Sequence, residues 1–145
     1  MDAFPHHYVV TANADAGNSS VAVNSSGLTT LSTDAPAEFG GPGDAWSPET
    51  LLMAAVADCF ILSFRAIAHA SKVQWQSIDC EATGTLDRVE RTNKFTQVNL
   101  NVSVNVGQET DEEKLLKVLH KAEDSCLITN SMTAGVSLNT NIQRS

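Results

Sequence analysis

Two cysteines with a possible chemical role lie far apart in the sequence, each in an apolar segment with the pattern of a helix. Cys59 belongs to the segment that starts at Ser47, and Cys126 lies near the C-terminal end of an amphipathic segment that starts near residue 110. A thiolate is a nucleophile, and a second thiol can capture the oxidised form of the first as a disulfide. The arrangement predicts a thiol redox pair. A third cysteine, Cys80, is interpreted as a core residue of an alternating strand.

Glu49 is the third candidate site residue, because it starts the same helix that carries Cys59. The two residues are ten positions apart, which corresponds to about 15 Å along a helix and exceeds the reach of a hydrogen bond. If both serve one site, we expect Glu49 to come from a partner subunit. The alternative interpretation is that Glu49 only stabilises the positive end of the helix dipole.

The helix that carries Glu49 and Cys59 has a clear start signal. Ser47 can cap it and Pro48 suits its first position, which predicts a helix from about Pro48 to Ser71. Leu51 to Ala57 is apolar on all sides, a pattern typical of a helix buried on more than one face. We therefore expect it to pack on the chain's own sheet and on a dimer partner.

The remaining pattern predicts short strands at Tyr8–Thr11, Val21–Asn24 and Leu28–Leu31. Alternating segments at 78–86 and 98–106 predict an antiparallel hairpin with a fairly long loop from Arg88 to Lys94. A capping box at Thr110 and Glu113 opens a second helix, which ends with Cys126 pointing inward, and a last strand follows. At 145 residues the chain is predicted to form a single α+β domain over 1–145, with a mostly antiparallel sheet and a long, central, buried helix.

The composition limits the classes of partner. With 17 acidic and 9 basic residues and a net charge of -8, the chain is not expected to bind nucleic acid or an anionic membrane. No apolar run reaches the ~20 residues that cross a bilayer, and no basic region followed by an apolar one marks a secretory signal. The cytoplasm is therefore the expected location. The histidines lack metal-ligand spacing, so neither a metal nor another cofactor is expected.

The sequence resembles the OsmC/Ohr family of osmotically inducible and organic hydroperoxide resistance proteins over nearly its whole length. The resemblance rests on Pro48, Glu49, Leu51 and Leu52 at a helix start, with Cys59 ten residues after the glutamate, and on Cys126 followed by Asn130 and a final strand. It implies an OsmC-like fold and an intertwined homodimer with two active sites at its interface.

The resemblance also implies the chemistry. In that family the first-helix cysteine attacks the O–O bond of an organic hydroperoxide, and the second cysteine captures the resulting sulfenic acid as a disulfide. A dithiol, in some members a lipoylated protein, then reduces the disulfide. Carried over, Cys59 is the peroxidatic residue and Cys126 the resolving residue of a peroxiredoxin-like hydroperoxide reductase.

One departure from the family pattern concerns a cation. Peroxidase members typically supply an arginine from the N-terminal strands, oriented by the glutamate that corresponds to Glu49, whereas residues 1–64 contain no Lys or Arg. The compensating cation could be a histidine, or Arg65, Arg88 or Arg91, for which a partner subunit is the favoured source. Three function classes stay open: a thiol peroxidase, a non-catalytic binder of a small apolar ligand, and a thiol redox sensor.

Overall fold

Two three-stranded sheets and three α-helices make up the protein in the computed structural model, which describes residues 2–145. The elements are, in chain order, β1 (Thr11–Asn13), β2 (Val21–Asn24), β3 (Leu31–Thr33), a 3-10 turn (Ala37–Phe39), α1 (Pro48–Ala70), β4 (Ser77–Val89), β5 (Thr92–Val106), α2 (Glu112–Asp124), α3 (Leu127–Asn130) and β6 (Gly135–Arg144). The predicted α+β class is confirmed.

The chain divides into two compact units, and the boundary falls inside α1. The first unit ends at Leu51, and the second extends over Leu52–Ser145. Each unit has its own sheet, β1–β2–β3 in the first and β4–β5–β6 in the second. The single domain over 1–145 stays a prediction.

The first unit is an antiparallel meander without an apolar core of its own. Ala12 pairs with Val23, and Val23 pairs with Leu31. Strand β2 matches its prediction, whereas β1 and β3 each begin three residues later in the chain than predicted. Among residues 2–51, the buried side chains are the polar Thr33 and Ser47, and no apolar side chain is fully buried. Three short strands without a core are expected to be only marginally stable alone.

The second unit contains the apolar core. Strand β5 lies between an antiparallel β4 and a parallel β6 and buries its alternate residues, as the sequence predicted. One stripe of each long helix is buried in the same core cluster. The buried side chains are Val98, Leu100, Val102, Val104 and Val106 from β5, Val56, Phe60, Phe64 and Ala68 from α1, and Leu115, Val118, Leu119 and Ala122 from α2.

The turn between β4 and β5 is much tighter than predicted. The ladder continues to the pair Val89 and Thr92, so the turn consists only of Glu90 and Arg91. Both residues have positive φ, 51° and 68°, as expected for the two-residue turn that fits the twist of an antiparallel hairpin. The prediction of a long loop from Arg88 to Lys94 is therefore wrong, because all of these residues except Glu90 and Arg91 belong to the paired strands.

Helix α1 begins as predicted and ends one residue earlier. The Ser47 hydroxyl accepts a hydrogen bond from the backbone N–H of Thr50 at 3.1 Å, which confirms it as the cap. Gly84 of β4 allows α1 to approach closely, because a β-carbon there would lie 2.7 Å from the Met53 sulfur. The glycine thus fixes where this part of α1 meets the sheet.

By length and composition alone, α1 could cross a membrane. An 18-residue window has a mean hydropathy of 1.9, and 22% of that window is buried within the chain. The expectation that no segment qualifies is therefore wrong, because it counted unbroken apolar runs and α1 contains Asp58 and Arg65. A single helix of this kind is weak evidence for a membrane, since core helices of soluble proteins have the same composition.

Candidate active site

Cys59 lies on α1 beside the buried stripe of that helix. Its neighbour Phe60 is fully buried and its neighbour Asp58 is exposed, and Cys59 itself is a free, half-buried thiol. Cys59 is therefore only partly enclosed within the chain. This exposure is suited to a thiol that has to meet a substrate.

Cys126 is completely buried, as predicted, but it does not belong to the second helix. Helix α2 ends at Asp124, and Cys126 is the N-cap of the short helix α3. The change of direction follows Ser125, whose hydroxyl donates to the carbonyl of Lys121 at the end of α2. The prediction that Cys126 ends the second helix is therefore wrong.

Backbone hydrogen bonds hold Cys126 on both sides. Its N–H donates to the carbonyl of Glu123 at 3.2 Å, and its carbonyl accepts from the N–H of Asn130 at 3.0 Å. The hydroxyl of Thr129 also donates to this carbonyl. The backbone of Cys126 is thus fixed, and rotation about its Cα–Cβ bond is the remaining freedom of the sulfur.

The fold brings Cys80 near enough to Cys126 for the charge of one to affect the pKa of the other, which sequence reasoning missed. The pKa of the Cys80 thiol is raised from 9.0 to about 11, mainly by burial and secondarily by the charge of Cys126. Cys80 therefore stays a protonated thiol at neutral pH, which agrees with its interpretation as a core residue. The two cysteines are distant in sequence, and no local pattern indicated that they interact.

Electrostatics near Cys126 also include an unusual carboxyl group. Burial raises the pKa of Glu123, the neighbouring charge of Asp124 raises it further, and His120 lowers it. Glu123 and Asp124 thus place two carboxyl groups in the segment that leads into Cys126.

Glu49 occupies the first turn of α1 and has an unsatisfied carboxylate oxygen. Among the buried side-chain nitrogen and oxygen atoms of residues 2–145, Glu49 Oε1 alone lacks a hydrogen-bond partner. Helix α1 carries both Glu49 and Cys59 ten residues apart, a separation of about 15 Å along the helix axis. The prediction that a partner subunit supplies Glu49 to the cysteine stays a prediction.

An apolar cleft of about 530 Å³ lies beside Glu49, within the first unit. It is lined mainly by apolar side chains, among them Val21, Val23, Phe39 and Leu51. Asp34 lines it as well, and both oxygens of this carboxylate have donors: the Ser19 hydroxyl at 2.6 Å and the Ala35 N–H at 2.8 Å.

These residues can support thiol chemistry and the binding of an apolar molecule. In the part of the chain that the structure describes, no three His, Cys, Asp or Glu residues are arranged to hold a metal ion. Cys59 and Cys126 lie in the second unit, whereas Glu49 and the cleft lie in the first.

Comparison with known proteins places this chain in a family. The family described as OsmC-like protein matches residues 41–141. The uncharacterized protein YmaD of Bacillus subtilis is 25% identical over 136 residues, which cover 92% of this chain and 91% of YmaD. The candidate residues Glu49, Cys59 and Cys126 all lie within the part of the chain that the family matches.

Solved structures show the same fold at low sequence identity. An OsmC-like protein of unknown function from Vibrio cholerae superposes with a TM-score of 0.86 and 19% identity, covering 94% of this chain and 99% of that one. An organic hydroperoxide resistance protein from Elizabethkingia anophelis has a TM-score of 0.77 and 18% identity, with coverages of 98% and 99%. The family match and the shared fold together establish that this chain belongs to the OsmC-like family.

Proposed function

We propose that the protein is a thiol-dependent peroxidase that reduces organic hydroperoxides. The Cys59 thiolate attacks the terminal oxygen of the hydroperoxide, the O–O bond breaks, and the alcohol leaves after taking up a proton. Cys59 becomes a sulfenic acid. The Cys126 thiol then attacks the Cys59 sulfur, water leaves, and a disulfide forms, which a dithiol such as a protein-bound lipoyl group reduces by exchange.

The difference in burial between the two cysteines is the observation that carries this proposal. Cys59 is half-buried, whereas Cys126 has 0% of its surface exposed. An attacking thiol must meet an external substrate, while a resolving thiol needs to meet only the sulfenic acid. Cys80 is a poor candidate for either role, because burial raises its pKa to about 11 and keeps it protonated.

Membership of the OsmC-like family and the name of the Elizabethkingia relative support a hydroperoxide as substrate. The apolar composition of α1 on either side of Cys59 in the sequence favours an organic hydroperoxide over hydrogen peroxide. The cytoplasm remains the proposed location, since a reducing compartment keeps the three cysteines as free thiols between turnovers.

A homodimer is part of the proposal, and two observations support it. Helix α1 has a mean hydropathy of 1.9 in its most apolar window, yet it buries only one stripe within the chain, and Leu62 is 52% exposed. Residues 2–51 have exposed apolar side chains and no fully buried ones. A second copy of the chain would cover both surfaces. Dimerisation would also allow the partner to supply Glu49 and the missing cation near Cys59.

A thiol assay tests the catalytic proposal. Reduced protein is mixed with cumene hydroperoxide, and free thiols and disulfide-linked peptides are measured by mass spectrometry. We expect a disulfide between Cys59 and Cys126, and a dithiol should restore repeated consumption of the peroxide. Cys59→Ser should abolish consumption, and Cys126→Ser should leave Cys59 to over-oxidise.

Cys80→Ser is the matched control, because it removes a thiol that is not expected to react, and it should retain activity. If Cys59 and Cys126 do not couple, the peroxidase proposal fails. If they couple but no dithiol restores turnover, the result supports a redox sensor instead.

Sedimentation analysis tests the dimer. The wild-type protein should sediment as a dimer, and Leu62→Glu should shift it toward monomer, because a charge would then lie on the uncovered side of α1. Glu112→Gln on the exposed surface of α2 is the control. A monomeric wild-type protein at micromolar concentration would contradict the dimer.

A further inference from the structure

The hairpin of β4 and β5 extends beyond its sheet as an arm. Strand β6 pairs with β5 only from Gln97 onward, whereas β4 and β5 stay paired up to the turn at Glu90 and Arg91. Residues 86–95 therefore form a two-stranded ribbon, here named the hairpin arm. Every residue of the arm except Phe95 is exposed within the chain. Because an isolated two-stranded ribbon is only marginally stable, a second surface that covers the arm would stabilise it.

The direction of the arm follows from the contacts of β4 with α1. Trp75, just before β4, packs on Phe64 in the second half of α1, with ring centroids 5.4 Å apart. Gly84 meets Met53, which lies near the start of the helix. Strand β4 thus runs back along α1, and the hairpin arm continues in the same direction beyond Met53. It extends toward the N-terminal end of the helix.

Alternation along β4 decides which cation of the arm faces α1. Gly84, Leu86 and Arg88 are separated by steps of two residues and therefore lie on one face of the strand. Gly84 shows that this is the face that meets α1. The extra residue at the irregularity of the ladder, Thr96, belongs to β5, so the alternation of β4 is not interrupted. Arg88 is the cation of β4 on this face.

The Arg88 guanidinium is available for an intermolecular contact. Within residues 2–145 the one ion pair joins Lys117 and Glu113, so Arg88 has no carboxylate partner in its own chain. Its backbone N–H, by contrast, donates to the Asp87 carboxylate at 2.7 Å. The backbone of Arg88 is thus held, and its charge is left for another molecule.

The site proposed at Cys59 requires a cation that the first 64 residues do not contain. The adjacent carboxylate of Asp58 disfavours a thiolate, which increases this requirement. Arg144 is already engaged with three backbone carbonyls. Arg65 follows Glu49 by sixteen positions, about 24 Å along the helix, so a partner that supplies Glu49 from the start of its α1 would hold Arg65 far from the same sulfur.

We infer that Arg88 of one subunit is the cation of the active site that contains Cys59 of the other subunit. The guanidinium donates to the Cys59 thiolate and offsets the charge of Asp58. The inference rests on the proposed peroxidase and its dimer, and it names the residue that completes the site. The start of α1 and the hairpin arm point to the same end of a subunit, so both Glu49 and Arg88 would reach the partner's site from that end.

Alkylation of Cys59 measures the charge beside its sulfur. Replacing the other two cysteines with serine leaves Cys59 as the only thiol, and iodoacetamide reacts with its thiolate. An opposite charge within about 4–6 Å lowers a pKa by about 1–3, so Arg88→Gln should slow alkylation near pH 6 about tenfold or more. The carboxylates of Asp58 and of the partner subunit's Glu49 act in the opposite direction and are the same in both proteins. The difference should narrow toward about pH 10, which separates ionisation from access.

Three further variants serve as controls. Arg88→Lys keeps the charge and should recover part of the alkylation rate. Lys94→Gln removes a charge from the opposite face of the arm, where Lys94 pairs with Asp87, and should keep the rate. Arg91→Gln removes the cation of the turn and should also keep it. Circular dichroism should show that each variant is folded.

Mixing two inactive variants tests which subunit supplies the arginine. In a mixed dimer of Cys59→Ser and Arg88→Gln, the remaining Cys59 receives Arg88 from the other chain, so one of the two sites is complete. Random refolding of equal amounts makes half of the dimers mixed, and about a quarter of the wild-type peroxide consumption should return. If Arg88 served Cys59 of its own chain, mixing would restore nothing.

Several results would overturn the inference. These are equal alkylation rates in wild type and Arg88→Gln, an equal loss in Lys94→Gln, and no recovery on mixing variants of an active wild type. A loss in Arg91→Gln but not in Arg88→Gln would assign the cation to the turn and would also overturn it. If the wild type consumes no peroxide but its alkylation depends on Arg88, the peroxidase proposal fails and the placement of Arg88 stands.

Discussion

The first unit, up to Leu51, and the second unit, Leu52–Ser145, differ in what they bury and in the chemistry they carry. The second unit buries the alternating residues of β5 and a stripe of each long helix. In residues 2–51 the buried side chains are Thr33 and Ser47, and an apolar cleft lies beside Glu49. Both proposed redox cysteines belong to the second unit, and the unsatisfied carboxylate belongs to the first.

The difference shows that one small chain can combine a packed core with an apolar surface that it leaves uncovered. The cysteines proposed for redox chemistry belong to the unit with the core, whereas residues 2–51 leave apolar side chains exposed. Apolar burial is the main source of stability, so we expect the second unit to supply most of the free energy of unfolding. The first unit is expected to gain stability from whatever covers it.

Replacing a phenylalanine in each unit gives the largest expected contrast. Phe60 is 0% exposed and Phe4 is 80% exposed. Phe60→Ala should lower the free energy of unfolding by about 3–5 kcal/mol, because it leaves a cavity in the core. Phe4→Ala should change it by less than about 0.5 kcal/mol. Urea denaturation at one protein concentration measures both, and equal effects would contradict the contrast between the units.

A glycine in each unit gives a smaller contrast. A β-carbon at Gly84 would lie 2.7 Å from the Met53 sulfur and 2.8 Å from the Phe95 ring, whereas one at Gly17 would meet nothing within 4 Å. Gly84→Ala should therefore cost about 1–3 kcal/mol by overpacking, and Gly17→Ala should be close to neutral.

The source of the Gly84 effect can be checked by a double variant in the same denaturation experiment. Met53→Ala removes one of the two crowding groups, so Gly84→Ala should cost less in that background. Strict additivity of the two changes would show that Met53 does not limit the space at Gly84.

The smallest expected effect is a pH dependence that comes from the second unit. Cys80 ionises near pH 9.0 in the unfolded chain and near 11 in the folded protein. Between these values Cys80 has lost its proton in the unfolded state but keeps it in the folded state. The contribution of Cys80 to the free energy of unfolding is therefore fully present below pH 9.0 and is lost as the pH rises through 11.

Cys80→Ala should flatten this decline, and the slope of stability against pH is the quantity to compare, since the substitution also changes packing. Thermal unfolding at several values of pH measures it. An unchanged slope in Cys80→Ala would assign the alkaline loss to other groups.

Much of the fold followed from local patterns in the sequence. The alternation in β5 and the cap at Ser47 both reflect forces that act within a few residues, and both were predicted correctly. The end of α2 was not predicted correctly. Asp124 and Ser125 can either continue a helix or end it, and contacts elsewhere in the fold decide where the helix ends. The cap of α2 is Asp111 rather than Thr110 for the same reason, since Thr110 donates to the carbonyl of Gln74, which is distant in sequence.

The candidate site was only partly predictable. The cysteines and Glu49 were found from their types and spacing, together with a family resemblance. The interaction of Cys80 with Cys126 depends on tertiary packing and left no local signal. The cleft depends on how Val23 and Phe39 are brought together, and the orphan oxygen of Glu49 depends on burial, so neither could be read from the sequence.

The parallel pairing of β5 and β6 has a consequence for folding kinetics. The pairs run from Gln97 with Gly135 to Val106 with Arg144, so the crossover between the strands carries Cys126. Such long-range pairing forms more slowly than the adjacent β4–β5 hairpin, and the Arg144 guanidinium completes it by donating to the carbonyls of Gly107, Gln108 and Thr110. During refolding, Cys126 should therefore react with an alkylating reagent until the crossover that carries it is buried, and its protection would time that step.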